Sequence, residues 1–108
     1  MVLGAIAAGN CVVLKPSHKG PSFGTLLATV LPKYLDPACY TIFGENNDYV
    51  EKLLEEKFDY IYFTGTASVG RIIHRAANKY LTPTTLQLGG KNPVYIDSSA
   101  DLEQAAAR

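Results

Sequence analysis

Phe63-Thr64-Gly65-Thr66-Ala67-Ser68-Val69-Gly70 joins an apolar run to an amphipathic one through a glycine turn, and its reading decides the fold. Upstream, Tyr60-Ile61-Tyr62-Phe63 is short, aromatic and β-branched, which suits a strand. Downstream, Val69, Ile72, Ile73, Ala76, Ala77, Tyr80 and Leu81 recur at helical spacing and predict a helix with one apolar face. Gly65 allows the turn and a close backbone approach, Gly70 lets the helix pack near its strand, and the free amides opening the helix suit a phosphate. The spacing Gly-x-x-x-x-Gly is not the dinucleotide fingerprint Gly-x-Gly-x-x-Gly, and Arg71-Ile72 in place of Lys-Ser/Thr excludes a P-loop. By pattern, the segment reads either as an anion site or as two glycines serving only turn and packing.

The same alternation extends to both sides. Cys11-Val12-Val13-Leu14 is an apolar run suited to a strand buried on both faces, and Phe23, Leu26, Leu27, Val30, Leu31, Tyr34 and Leu35 predict a helix that Pro32 should end or kink near Leu31. Tyr40-Thr41-Ile42-Phe43 reads as a strand ending at Gly44, and Val50, Leu53 and Leu54 mark a shorter helix. Thr84 to Leu88 and Val94 to Ile96 read as further strands around Gly89-Gly90. Leu3, Ile6 and Ala7 sit on a helix that Gly9-Asn10 stops, and Asp101 to Arg108 starts another. Strands alternating with helices predict an α/β fold, a Rossmann-like parallel sheet with helices on both faces.

At 108 residues the chain should hold one core, burying roughly two-thirds of the unfolded surface. A composition of 47% hydrophobic and 19% charged residues is globular, and ten Lys and Arg balance ten Asp and Glu. No net field points to a nucleic acid or a membrane surface. Local charge is uneven: Glu45, Asp48, Glu51, Glu55, Glu56 and Asp59 cluster before the third strand, whereas residues 60 to 94 carry Arg71, Arg75, Lys79 and Lys91 without an acid. Cys11 and Cys39 lack metal or disulfide-framework spacing and read as small buried residues. The apolar opening is far shorter than the roughly 20 residues of a membrane span, so a soluble domain of a reducing compartment is expected, with no secretion signal.

In a doubly wound sheet, ligands bind beyond the carboxyl ends of the strands. Three segments stand there: Lys15-Pro16-Ser17-His18, Gly65 to Gly70, and Leu86-Gln87-Leu88-Gly89-Gly90-Lys91-Asn92-Pro93. The first serves equally as a polar turn. The paired glycines of the last force a sharp irregular turn whose backbone could approach a ligand.

Together with Ala7-Ala8-Gly9-Asn10, these segments resemble the aldehyde dehydrogenase superfamily over essentially the whole chain. Leu31-Pro32-Lys33-Tyr34-Leu35, Asp59-Tyr60-Ile61-Tyr62-Phe63 and Leu81-Thr82-Pro83 look most like its class 3, or fatty aldehyde, branch. The resemblance implies that residues 1–108 are part of an NAD(P)-binding domain truncated at both ends, within an oxidoreductase that converts an aldehyde to a carboxylic acid. Lys15 would bond the adenosine ribose of NAD or NADP, Ser17 would line that pocket, and Gly65, Thr66 and the helix amides would hold the pyrophosphate. Gly70 belongs to the same motif, Val69 would pack beside the adenine, and Leu88 and Gly89 would present backbone near the nicotinamide. The resemblance also implies a cytoplasmic homodimer, membrane-associated in some relatives.

Two positions depart from the family pattern. His18 stands where a Glu usually accepts from the ribose hydroxyls, and the change predicts a weaker preference for NAD over NADP, unless His18 simply faces solvent. Gln87 stands where a Glu acts as general base, and an amide cannot take a proton. By the resemblance, the nucleophilic cysteine lies downstream of these segments and the oxyanion-hole Asn upstream, while Cys11 and Cys39 match no catalytic position. This chain alone is therefore expected to be inactive, with apolar surface exposed along Leu3, Ile6 and the last helix. Two other readings stand beside the enzyme fragment: a catalytically inactive dinucleotide-binding or regulatory module, and an acylating aldehyde dehydrogenase, which needs no such base.

Overall fold

Helix and strand alternate along the chain much as the hydrophobic periods predict. A computed structural model describes residues 1–43 and 48–107. The elements are α1 (Val2–Ala7), β1 (Val12–Leu14), α2 (Pro21–Val30) followed by a 3-10 turn (Leu31–Lys33), β2 (Tyr40–Ile42), α3 (Asp48–Glu55), β3 (Ile61–Gly65), α4 (Ala67–Asn78), β4 (Thr84–Leu88) and α5 (Leu102–Ala106). The expected strand stop at Gly44 and the helix residue Arg108 lie outside the described residues. Where length predicts one core, the chain divides into two compact units, Met1–Glu56 and Lys57–Arg108. Each holds its own two-stranded parallel sheet. Periodicity reveals that a segment is a strand, but the pairing partner is a long-range choice it does not encode.

In the first unit, α1 ends at the Gly9-Asn10 stop. Gly9 lies at φ +77°, its amide reaches the Ile6 carbonyl at 2.9 Å, and the Asn10 amide reaches Ala5 at 3.0 Å, the paired bonds of a Schellman cap. β1 pairs with β2 in the register Val12↔Tyr40, Val13↔Thr41 and Leu14↔Ile42. Val2, Leu31 and Leu35 line a small gap with Val12, Leu14, Tyr40 and Ile42, while Val13, on the other side of the pleat, is exposed. Pro21 opens α2, and the helix gives way to the 3-10 turn at Leu31, one residue before Pro32, as that proline requires. Tyr34, assigned by period to the apolar helix face, lies beyond the turn and is 80% exposed.

In the second unit, β3 and β4 pair from Ile61↔Thr84 to Gly65↔Leu88. Ile61, Phe63 and Gly65 alternate to the face that α4 covers, where Gly70, Ile73 and Ala77 are buried. Tyr62, Thr64, Thr85 and Gln87 alternate to the opposite face and are exposed. The periodic set read for this helix is thus broader than its buried stripe: Ile72 is 55% exposed against 7% for Ile73. The Thr82 hydroxyl, buried, donates to the Phe58 carbonyl at 2.8 Å and ties the entry of β4 to the entry of β3.

Leu81 is not on the helix face but in its C-terminal cap. At φ +55° it occupies the left-handed position, with its amide on Asn78 at 3.3 Å and the Thr82 amide on Ala77 at 3.0 Å. Glycine is the usual residue there, and a side chain that is 84% exposed recovers little by burial. Leu81→Gly is therefore expected to stabilise the second unit by about 0.5–1 kcal/mol, the relief of strain exceeding the added chain entropy. A urea midpoint that falls would show that Leu81 makes a contact worth more than its strain.

Two further expectations are corrected. Val94 to Ile96 form no strand and pair with none among the described residues, and Val94 and Tyr95 are 85% and 86% exposed. Sequence propensity for a strand is realised only where a neighbouring ladder supplies hydrogen bonds. Cys11 is exposed and Cys39 half-buried, because both stand just outside the ladder of β1 and β2 rather than inside it.

Candidate functional site

The second unit gathers one set of the expected site residues at the carboxyl end of its sheet. Gly65 is the last residue of β3, and the ring of Phe63 lies over it so closely that a Cβ would come within 2.5 Å of Cζ. Thr66 caps α4: its hydroxyl accepts from the Val69 amide at 3.4 Å and bonds the Ser68 hydroxyl at 3.0 Å. A helix start leaves its first amides without intrahelical acceptors, so Ala67 and Ser68 present N–H groups beside the strand end. Val69 is 40% exposed on the first turn.

Register then brings the third segment to the same place. Leu88 pairs with Gly65 and Gln87 with Thr64. A Cβ on Gly70 would meet Leu88 Cδ2 at 2.8 Å, so the glycine is what lets α4 seat against β4. Gly70→Val is expected to cost about 1–3 kcal/mol through overpacking, with partial recovery in Gly70→Val/Leu88→Ala. Urea melts of the two variants check it, and additive losses would deny the contact. Beyond Leu88 the chain is irregular, with Gly90 at φ +114° and Lys91 at φ +56°, and Gly89 has open space where a Cβ would stand. The left-handed backbone is there, but residues 89–97 form neither a turn nor a bend, so the sharp turn expected from the paired glycines is not made. Gln87 is exposed on the sheet face away from α4.

Lys15, Ser17 and His18 form a group of their own in the first unit. Lys15 directly follows β1 and is half-buried. The Ser17 hydroxyl accepts from the Lys19 amide at 3.2 Å and its carbonyl from the Gly20 amide at 3.2 Å, so this serine also builds the turn that launches α2. His18 is exposed in that turn.

The strand-end reading did not single out His74. Its Nδ1 lies 3.3 Å from the Thr84 hydroxyl, and with Ala67, Arg71, Arg75, Leu86 and Leu88 it lines an open depression of about 220 Å³ on the α4 side of the sheet. The spacing of Arg71, His74 and Arg75, three and four residues apart, was the available signal for a shared basic face. Elsewhere, hydrogen bonds from the Ser99 hydroxyl at 2.6 Å and the Ser99 amide at 2.9 Å hold the Asp97 carboxyl below the usual carboxylate range and order the turn before α5. Among the described residues no His, Cys, Asp and Glu cluster could hold a metal, and no helix is long and apolar enough to cross a membrane.

The aldehyde dehydrogenase family model matches residues 1–108. The chain is 54% identical to mouse aldehyde dehydrogenase family 3 member B1 over 107 residues, 99% of this chain and 23% of that protein. It is 49% identical to the dog dimeric NADP-preferring aldehyde dehydrogenase, covering 99% of this chain and 24% of that one. Among solved structures, the substrate-bound state of Staphylococcus aureus AldH matches with a TM-score of 0.85 and 34% identity, over 99% of this chain and 23% of that one. The chain thus spans about a quarter of the length of these relatives. Matched end to end by the family model, and sharing with that structure its arrangement of short parallel strands and helices, the chain belongs to the aldehyde dehydrogenase family.

Proposed function

We propose that residues 1–108 are part of the NAD(P)-binding domain of an aldehyde dehydrogenase of the fatty aldehyde branch, and supply its dinucleotide cradle. The observation that carries this reading is the meeting of Gly65, the Thr66-capped start of α4 and the Gly70–Leu88 contact at the ends of two parallel strands. Backbone amides there face a strand end with no acid in residues 60 to 94, which suits a pyrophosphate. The open space at Gly89 leaves backbone accessible to a flat ring. The residues present therefore fit a dinucleotide, and when bound that group accepts hydride from the substrate.

In this reading, Gly65, Thr66 and the α4 amides hold the pyrophosphate, Val69 packs by the adenine, and Leu88 and Gly89 flank the nicotinamide. Lys15 and Ser17 hold the adenosine ribose. His18 replaces an acidic partner of the ribose hydroxyls, so it repels a 2′-phosphate less and admits NADP as well as NAD. The name of the dog relative, NADP-preferring and dimeric, is in keeping with this and with a homodimeric parent. An aldehyde is the substrate of the whole protein and a carboxylic acid its product.

One observation favours a second reading. Gln87 offers no titratable group on the exposed face where the family pattern has a base, so a non-hydrolytic protein, either a dinucleotide-binding regulatory module or an acylating enzyme, is the alternative.

Calorimetric titration of the chain with NAD⁺ and separately with NADP⁺ tests the cradle. Binding of both is expected, with affinities within about tenfold of each other. Absence of heat from a folded sample would reject the cradle, and a strong NAD⁺ preference would reject the role of His18.

A further inference from the structure

Neither cysteine takes part in the proposed cradle, yet the β1 and β2 pairing brings them together. Val12↔Tyr40 is the first pair of that parallel ladder, and Cys11 and Cys39 are the residues immediately before it on the two strands. The Val12 amide donates to the Cys39 carbonyl at 2.8 Å, closing the ladder at the cysteines themselves. Neighbouring strands run about 4.8 Å apart, inside the roughly 4.4–6.8 Å between Cα atoms that a disulfide spans. Both are free thiols, Cys11 exposed and Cys39 half-buried. The turn before β2 fixes Cys39: its amide and that of Tyr40 reach the Asp36 carbonyl at 3.0 and 2.9 Å, while the Asp36 carboxylate accepts from the Ala38 amide at 2.9 Å.

We propose that Cys11 and Cys39 form a redox modification site, at which a low-molecular-weight disulfide such as oxidised glutathione installs an intramolecular disulfide. The exposed Cys11 reacts first. Its thiolate attacks one sulfur of the glutathione disulfide; a bond to Cys11 Sγ forms, the glutathione S–S bond breaks, and one glutathione leaves as a thiolate that takes up a proton. Cys39 then loses its proton and attacks Cys11 Sγ. The Sγ–Sγ bond forms as the second glutathione departs and is protonated. Two cysteine thiols have given up two electrons and two protons, and one glutathione disulfide has become two glutathione thiols.

Electrostatics set the same order. The hydrogen bond and the charge of the neighbouring Cys11, with burial and Asp36 adding to them, hold the Cys39 pKa above the usual thiol range. Capping of Cys11 by glutathione removes the two leading causes and leaves Cys39 free to resolve the mixed disulfide. The bridge closes the loop that contains α2 and locks the entry of β1, the strand that Lys15 directly follows, against β2.

The full chain is incubated in glutathione buffers running from reduced to oxidised, quenched with acid, alkylated, and read by intact mass and peptide mapping. Both thiols are expected to disappear together, with the mass falling by two hydrogens and a Cys11–Cys39 peptide appearing. Cys39→Ser should retain one glutathione on Cys11, and Cys11→Ser should slow the loss of the Cys39 thiol by about tenfold or more, because Cys39 then has no mixed disulfide held beside it to attack. A lasting glutathione adduct on the unmodified sequence, a bridge found only between chains, or thiols that stay alkylatable in every buffer would overturn the proposal.

Discussion

Ile73→Ala is expected to destabilise the second unit by about 2–5 kcal/mol, while Ile72→Ala costs under about 1 kcal/mol. Ile73 is 7% exposed and, with Ala77 at 3%, is one of the two buried hydrophobic residues found among the described residues. It sits on the stripe of α4 that covers β3 and β4, between Gly70 and Ala77. Truncation there leaves a cavity as well as losing transfer energy, whereas Ile72, 55% exposed, loses only part of a contact. At about 0.05–0.15 kcal/mol per residue, a unit of this size has only a few kcal/mol to lose, so the variant should be largely unfolded in water. Urea unfolding followed by circular dichroism measures both. Equal losses at the two positions would mean that α4 is rotated from the orientation described here.

The second large effect concerns chemistry. In a polypeptide joining this segment to the family's nucleophilic cysteine, Gln87→Glu is expected to raise aldehyde hydrolysis by about 10² to 10⁴. The side chain at this position is exposed on the face of the sheet away from α4, level with Thr64, where water reaches it. A carboxylate there can take a proton from that water, and an amide cannot. Steady-state rates of acid formation read the effect. An unchanged rate would remove Gln87 from the proton path. A parent that releases its acyl group to a thiol acceptor, at a rate the substitution does not touch, would select the acylating reading.

The apolar surface expected along the chain is present at Leu3 and on the last helix, but Ile6 is half-buried. Leu3 is 81% exposed and Leu102 67%, and neither α1 nor α5 buries a residue. Such faces arise when elements that must bury one side have nothing packed against it. Val94, Tyr95 and Ile96 belong to the same group, carrying strand-forming side chains without a ladder.

Local rules were legible because they act within a few residues. Gly9-Asn10 as a stop, Pro32 as the end of α2, Thr84 to Leu88 as a strand and Gly70 as a packing glycine each follow from backbone sterics or hydrogen bonds between near neighbours. The same holds for the order strand, turn, helix across Gly65 to Gly70, and hence for the α/β class and the candidate anion site. The motifs around Lys15, Gly65 and Gly89 carried the family resemblance for the same reason: each is a short contiguous string.

Long-range choices were not legible. Hydrophobic period marks Ile72 and Ile73 alike, and only the seating of α4 on β3 and β4 buries one and exposes the other. Leu81 satisfies the helical spacing yet caps the helix in a left-handed conformation, because the Schellman bonds need that residue at the turn. Cys11 and Cys39 are far apart in sequence and became neighbours only through the β1 and β2 register. By itself, the sequence determined most of the helices and strands, Val94 to Ile96 excepted, where most of them stop, and which family they compose, since those follow from local sterics and contiguous motifs. The tertiary structure alone decided which strands pair, which face of each helix is buried and which thiols meet, because each is a contact between distant residues whose free energy appears only once the chain has closed on itself.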